Sequence, residues 1–137
     1  MRVSVLVVDD DARFCELAAR MLKAQDMIVV GQAATIREAL ENVAAVRPDA
    51  VLVDVGLPDG DGVTLARRLA ALPWRPRVVL TSSDRDATTH EAALEAGAVG
   101  FVAKDDLPDA SLADLLAGGG ASGYGCAGAR PRGDRRG

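Results

Sequence analysis

Short apolar runs, rich in β-branched residues, alternate along this chain with segments of helical periodicity. Three runs are almost continuously apolar, and two more are weaker. They are Val3–Val8, Ala50–Asp54 and Arg77–Thr81, then Met27–Ala33 and Gly100–Lys104. Strands that are apolar on both faces are typical of parallel sheets covered by helices on each side. The pattern therefore predicts an α/β fold.

Five segments that follow these runs place apolar residues at three- and four-residue spacing, which predicts helices. The second opens with Thr35 and has Glu38 three residues later, the pattern of a capping box. The third is predicted to stop before Pro73. The fourth is predicted over Ala87–Gly97, and the fifth over Pro108–Gly118 with the proline in its first turn.

Strand and helix alternate five times, which predicts a doubly wound, five-stranded parallel sheet with helices on both faces. A flavodoxin-like strand order of 2-1-3-4-5 would place the first and third strands side by side, where the order of strands reverses. Ligands of such folds bind outside the carboxyl ends of the strands at that reversal. The residues at those ends are therefore the candidates for function.

Reactive side chains follow four of the five predicted strands. They are Asp9, Asp10 and Asp11 after the first, Asp54 at the end of the third, Thr81 at the end of the fourth and Lys104 at the end of the fifth. Taken singly, each has an ordinary explanation: one of the consecutive acids would cap the first helix, Thr81 could cap the fourth, and Lys104 could be a surface lysine. Together, they bring acids, a hydroxyl and an amine to one edge of the sheet.

Carboxylates that converge in this way need a compensating charge. Two of them ~4 Å apart repel by roughly 4 kcal/mol at an effective dielectric constant of about 20. Hard oxygen ligands at a partly open site suit Mg²⁺. A carboxylate beside Mg²⁺, a lysine and a hydroxyl can accept a phosphoryl group, since the two cations neutralise the phosphoryl oxygens. Asp54 is the predicted nucleophile.

Composition narrows the class of protein. The formal net charge of −4 argues against nucleic acid as the main partner. Two cysteines, Cys15 and Cys126, form neither a disulfide framework nor a zinc motif, which fits a reducing cytoplasm. No apolar run approaches the ~18 residues needed to span a bilayer, and the first is too short for a signal peptide. We expect a cytoplasmic protein without a membrane segment.

Composition changes abruptly at Gly118. The last twenty residues hold eight of the fourteen glycines, with four arginines and one aspartate. Such a segment has almost nothing to bury, so we predict a folded domain over residues 1–117 and a disordered Gly/Arg-rich tail over 118–137.

Four motifs give the chain a family resemblance. They are VVDDDARF, VLVDVGLPDGDG, VVLTSSD and AGAVGFVAKDDL. In this order they resemble the receiver domain of two-component response regulators, which has a CheY-like fold, and in particular the receivers of LuxR/NarL-type regulators. The resemblance extends from Met1 to about Ala117.

The resemblance implies a role for each candidate residue. Asp54 would be the phosphoacceptor. Asp9 and Asp10 would be the acidic pair of the Mg²⁺ site, with Asp10 the more direct ligand, and Gly56 would bind the metal through its backbone carbonyl. Thr81 would be the switch hydroxyl, Lys104 the lysine that pairs with the phosphoryl group, and Phe101 the switch aromatic. Gly56 replaces a side chain that is usually larger, so the lifetime of the phosphoryl group stays open. Asp105 stands where most receivers have proline, which makes a cis peptide bond unexpected.

The function that the resemblance implies is a phosphorylation-dependent signalling switch. A sensor histidine kinase would phosphorylate Asp54, and the surface formed by the fourth helix, fifth strand and fifth helix would then bind an output partner or a second receiver. The protein would be a monomer or a phosphorylation-dependent homodimer, with no enzymatic activity beyond Mg²⁺-dependent autophosphorylation and autodephosphorylation. A stand-alone receiver and the receiver part of a truncated LuxR/NarL-type regulator both stay open.

Two alternatives come from other classes. A phosphatase of the haloacid-dehalogenase type would also use an aspartyl phosphate, but it needs a second aspartate two residues after the nucleophile, where Gly56 stands. A docking module with a receiver fold would work without phosphate, and the glycine in the phosphoacceptor loop keeps this reading open.

Overall fold

A five-stranded parallel sheet organises the chain, whose computed structural model describes residues 2–117. Its strands are β1 (Val3–Val8), β2 (Met27–Ala33), β3 (Ala50–Asp54), β4 (Arg77–Ser82) and β5 (Gly100–Ala103). They lie in the order β2-β1-β3-β4-β5, with every neighbouring pair parallel. The predicted flavodoxin-like fold and its order 2-1-3-4-5 are confirmed. The predicted tail, residues 118–137, lies outside the described residues.

Helices cover both faces of the sheet. They are α1 (Ala12–Ala24), α2 (Ile36–Val46), α3 (Gly62–Ala70), α4 (His90–Glu95) and α5 (Leu112–Leu116). Alternate side chains of β1 enter two separate cores: Leu6 packs with α2, α3 and α4, and Val7 packs with α1 and α5. All five residues of β3 are buried, which explains why its sequence is continuously apolar up to Asp54. No helix within residues 2–117 is long and apolar enough to cross a membrane.

Two helices begin at the caps that their sequences indicate. Asp11 caps α1, since one of its carboxylate oxygens accepts the backbone N–H of Arg13 at 3.0 Å. Thr35 Oγ1 accepts the N–H of Glu38 at 3.0 Å, as the capping box predicts. The Glu38 carboxylate reaches back to the N–H of Ala34 at 2.8 Å, one residue before the expected donor.

The fourth helix is shorter than predicted. It begins at His90 rather than at Ala87, and Thr89 caps it by accepting the N–H of Ala92 at 3.0 Å. Within the preceding loop, Asp84 Oδ1 accepts the N–H of a residue two positions later at 2.9 Å, and the N–H of Ala87 donates to the Asp84 carbonyl at 3.1 Å. Such local side-chain bonds give the backbone an alternative to helix, which is why the first predicted turn does not form.

The predicted start of the fifth helix at Pro108 is also wrong. The proline lies inside a 3-10 helix, Lys104–Asp109, and α5 begins four residues after it. The N–H of Ala113 in the first turn of α5 is bonded at 3.0 Å to Gln25 Oε1, at the end of α1. Because that acceptor is distant in sequence, no local pattern could place the start of α5.

A short hairpin follows β3 that the sequence did not predict. Gly56–Leu57 pairs antiparallel with Gly60–Asp61. The hairpin leads directly into α3, whose first residue, Gly62, lies against the backbone of Asp54. A side-chain carbon at Gly62 would clash with the Asp54 carbonyl oxygen, so this close approach requires glycine.

Candidate functional site

The carboxyl edge of the sheet brings the predicted acids together. Because β1 and β3 are neighbours, the residue after β1 and the last residue of β3 stand side by side. Asp9, Asp10 and Asp54 each offer a carboxylate oxygen, and these three oxygens lie within 4.8 Å of one another. The predicted convergence of these residues is thus present, with Asp9 and Asp54 buried and Asp10 exposed.

Asp9 is held at the base of this cluster. Its Oδ1 accepts the N–H of Asp11 at 2.9 Å, and its own N–H donates to the Ala33 carbonyl at 2.9 Å. Its Oδ2 lies 2.6 Å from Lys104 Nζ, and it receives no aligned hydrogen bond within residues 2–117. A carboxylate whose side chain is only 1% exposed therefore depends on the lysine for its charge balance.

Lys104 stands between the acids. Its Nζ is 3.9 Å from Asp54 Oδ2, farther than its contact with Asp9. The same ammonium lies 4.2 Å from the centre of the Phe14 ring, a favourable cation–π distance. The Lys104 side chain is only 16% exposed, so most of it is buried at the site.

The surroundings of Asp54 disfavour the charged form of its carboxyl group. Burial, and then repulsion from Asp9, raise its pKa to about 6, against the opposing effects of Lys104 and of a hydrogen bond from the Gly56 backbone. A cation at the cluster would favour the charged form of all three acids. A bound metal ion would therefore stabilise the Asp54 carboxylate.

Thr81 brings an unsatisfied hydroxyl to the same edge. It is the register partner of Asp54 across the β3–β4 pair, and its carbonyl accepts the N–H of Val55 at 2.9 Å. The residue is fully buried, and its Oγ1 has no hydrogen-bond partner among residues 2–117. An unsatisfied buried hydroxyl costs about 1–3 kcal/mol. The alternative of a helix cap is excluded, because Thr89 caps α4.

The remaining predicted positions lie around this centre. Gly56 is exposed in the hairpin, and the space where a side chain would begin is open. Phe101 is half-buried against the core that contains α2, α3 and α4, and its register partner is Leu80, next to Thr81. Cys15 is a buried free thiol as predicted, and burial is the main cause that raises its pKa.

The cluster has the donor chemistry that Mg²⁺ requires. All its ligand atoms are carboxylate oxygens, Asp10 is open to solvent, and the buried Asp9 and Asp54 repel each other without a cation. Asp9, Asp10 and Asp54 therefore fit a site for a hard divalent cation.

Sequence reasoning missed two contacts near this edge. Arg85, in the loop before α4, makes a bidentate ion pair with Asp106 in the 3-10 helix, at 2.7 and 2.9 Å. Asp59, in the turn of the hairpin, binds the first N–H groups of α2. Neither contact has a local sequence signal, because both join segments that are remote along the chain.

Comparison with known proteins agrees with this geometry. A family model described as the response regulator receiver domain matches residues 5–115. The DNA-binding transcriptional activator DevR/DosR of Mycobacterium tuberculosis is 40% identical over 105 residues, which cover 75% of this chain and 48% of the activator. Curated relatives such as these are longer: the chain spans from 27% to 48% of their length.

Solved structures are similar as well. The BeF3-activated N-terminal receiver domain of RstA from Klebsiella pneumoniae is 37% identical, with a TM-score of 0.70 over 82% of this chain and 94% of that one. A two-component response regulator of the LuxR family from Aurantimonas sp. SI85-9A1 is 26% identical, with a TM-score of 0.75 over 86% of this chain and 87% of that one. The chain belongs to the receiver domain family of two-component response regulators.

Proposed function

We propose that this receiver is switched by transfer of a phosphoryl group from a sensor histidine kinase to Asp54. One observation carries the choice of residue: Asp54 is the acid that lies both in the carboxylate cluster and directly across from Thr81, whose buried hydroxyl has no partner among the described residues. A phosphoryl group on Asp54 would give that hydroxyl an acceptor.

The chemistry follows from the charges at the site. The Asp54 carboxylate attacks phosphorus, the bond from phosphorus to the donor breaks, and an acyl phosphate forms on the aspartate. Asp9, Asp10 and Asp54, with the Gly56 carbonyl, would hold Mg²⁺. When bound, the metal supplies positive charge that offsets the charge of the phosphoryl oxygens.

Two side chains would respond to the new group. Lys104 needs to shift only from Asp9 towards Asp54, since its ammonium already lies 3.9 Å from Asp54 Oδ2. Thr81 would donate its hydroxyl to a phosphoryl oxygen, which relieves the cost of its burial. Because Leu80 and Phe101 are register partners, movement at Thr81 would reach Phe101 on β5.

Phosphorylation would change the surface formed by α4, β5 and α5. This surface would bind an output partner or a second receiver, so that the protein is a monomer or a phosphorylation-dependent dimer in the cytoplasm. Similarity to the LuxR-family regulator supports the receiver of a LuxR/NarL-type regulator, and similarity to DevR/DosR, a DNA-binding transcriptional activator, supports a role in transcription regulation. Beyond autophosphorylation and autodephosphorylation of Asp54, the domain would catalyse nothing.

Intact-mass measurement tests this proposal. The chain is incubated with acetyl phosphate, with Mg²⁺ or with a chelator, beside Asp54→Asn and beside Asp84→Asn as a control acid in the loop before α4. We expect one phosphoryl adduct that needs Mg²⁺, survives in Asp84→Asn and is lost in Asp54→Asn. No adduct under conditions that label a control receiver would favour the phosphate-independent docking module instead.

A further inference from the structure

The loop after Asp54 poses a problem of rigidity. It must present the Gly56 carbonyl at a fixed place, yet Gly56 has no side chain and the space around it is open. Glycine is also the residue with the most backbone freedom in the unfolded chain. Other residues of the hairpin must therefore restrict this segment.

One part of the restraint lies beside the sheet. Leu57 is buried against the core that contains α2, α3 and α4. Asp61 caps α3 by accepting the N–H of Val63 at 2.9 Å, and Gly62 donates its N–H to the Val55 carbonyl at 2.7 Å. These contacts fix the two ends of the hairpin but not its turn.

The turn is attached to α2 by Asp59. Its Oδ1 accepts the N–H of Ile36 at 2.8 Å, and its Oδ2 accepts the N–H of Arg37 at 3.2 Å. These bonds, the one to Ile36 first, lower the pKa of Asp59, so the group is charged at neutral pH. The carboxylate also faces the positive end of the helix dipole.

A close backbone approach accompanies these bonds. Gly60 has φ of +156°, and a side-chain carbon there would lie 2.8 Å from Ile36 Cδ1. The hairpin turn thus contacts the first residue of α2 through both a carboxylate and a bare glycine. The hydrogen bonds of Asp59 and the close approach of Gly60 thus place the hairpin turn at the same point on α2.

We propose that Asp59 is a positioning residue, which fixes the hairpin Gly56–Asp61 on the amino end of α2 and thereby holds the Gly56 carbonyl at the metal site. This inference rests on the proposed function, because it assigns Gly56 to Mg²⁺. Asp59 acts through Gly56 and touches neither metal nor phosphoryl group. Outer contacts of this kind commonly set the affinity of a metal site by orienting its ligands.

The helix itself does not explain Asp59 fully. Thr35 already caps α2 from within, by accepting the N–H of Glu38. The two residues therefore serve the same helix end, but Asp59 lies in the hairpin and bonds across to the helix, whereas Thr35 bonds within its own segment. Thr35→Ala is for this reason a matched control, since it weakens the cap and leaves the hairpin attached.

The experiment measures Mg²⁺ binding to the full chain by calorimetry, and amide hydrogen exchange of the hairpin without metal. We expect Asp59→Ala to bind Mg²⁺ roughly tenfold more weakly and to exchange faster at residues 56–61. Thr35→Ala should keep Mg²⁺ affinity within about twofold of wild type and keep hairpin protection. Asp59→Asn, which retains one oxygen acceptor, should fall between Asp59→Ala and wild type.

Measurements at low and high salt separate an electrostatic effect of Asp59 on Mg²⁺ affinity from a positioning effect. The loss in Asp59→Ala should persist at high ionic strength, where a purely electrostatic loss would be screened. Equal Mg²⁺ affinity and equal hairpin exchange in Asp59→Ala and Thr35→Ala would overturn the positioning role. A wild-type chain that neither binds Mg²⁺ nor accepts phosphate would contradict the proposed function instead, and the exchange comparison would still decide whether Asp59 holds the hairpin.

Discussion

Lys104 pairs with Asp9 rather than with Asp54: its Nζ is 2.6 Å from Asp9 Oδ2 and 3.9 Å from Asp54 Oδ2. The lysine thus balances the charge of the more buried acid, Asp9, and lies farther from the proposed nucleophile. Additional positive charge would stabilise the charged form of Asp54, since burial and Asp9 raise its pKa to about 6.

Removing this lysine should expose how much Asp9 depends on it. Lys104→Met leaves a buried carboxylate unpaired, so we expect the free energy of unfolding without metal to fall by about 3 kcal/mol. Urea unfolding with a chelator measures this loss. Adding Asp9→Asn should restore most of the stability, because the unpaired charge is then gone; an unchanged loss in the double variant would contradict the pairing.

Stability should depend on pH through Asp54. The folded pKa of about 6 lies above the ordinary value of 3.8 for an aspartate, so the folded state binds more protons between these two pH values. Stability attributable to Asp54 is therefore full below pH ~4 and falls as pH rises to ~6, by an amount on the order of 3 kcal/mol. Urea unfolding without metal should show that Asp54→Asn gains on wild type across this window. If the stability difference between Asp54→Asn and wild type stays constant or narrows with rising pH, the raised pKa of Asp54 is contradicted.

The buried hydroxyl of Thr81 should be a cost to the unphosphorylated protein. Thr81→Val keeps the shape and removes the unsatisfied group, so we expect it to match or exceed wild-type stability, by up to about 1 kcal/mol. The same variant should bind beryllofluoride, a phosphoryl analogue, roughly tenfold more weakly, since one hydrogen bond to a charged group is lost. Thermal unfolding and analogue titration check both effects. Destabilisation without loss of analogue affinity would mean that the hydroxyl has a structural role only.

The ion pair between Arg85 and Asp106 should restrain the loop before α4. Cutting it with Arg85→Ala removes the bidentate contact to the 3-10 helix, so we expect faster amide exchange in both segments. The exposed pair between Arg37 and Glu41, 3.7 Å apart on α2, is a matched control that should leave these segments unchanged when Arg37 is replaced. Equal exchange in the two variants would show that the pair restrains nothing.

Sequence and structure agree where the sheet decides the outcome. Asp9, Asp54 and Thr81 could be brought together from the chain alone, because the order of parallel strands places their carboxyl ends at one edge. Asp59 and Gln25 could not be assigned in this way. Each satisfies the start of a helix that is remote along the chain, so its role depends on how the folded elements pack.

Polar contacts also account for the wrongly predicted starts of α4 and α5. Pro108 is a good first residue for an α-helix, yet it lies in a 3-10 helix, while the start of α5 is bonded to a side chain of α1. The first predicted turn of the fourth helix is replaced by local bonds to Asp84 in the loop before it. Apolar spacing showed that both helices exist, but their first residues depended on polar contacts.

Asp54, and no other acid, is the residue that we propose to carry the phosphoryl group. Borohydride reduces an aspartyl phosphate to homoserine, so treatment of the chain labelled with acetyl phosphate and Mg²⁺, followed by peptide mapping, identifies the residue directly. We expect homoserine at position 54 alone, in amounts that match the intact-mass adduct. Homoserine at Asp9 or Asp10, or its absence at position 54 while an adduct is present, would contradict it.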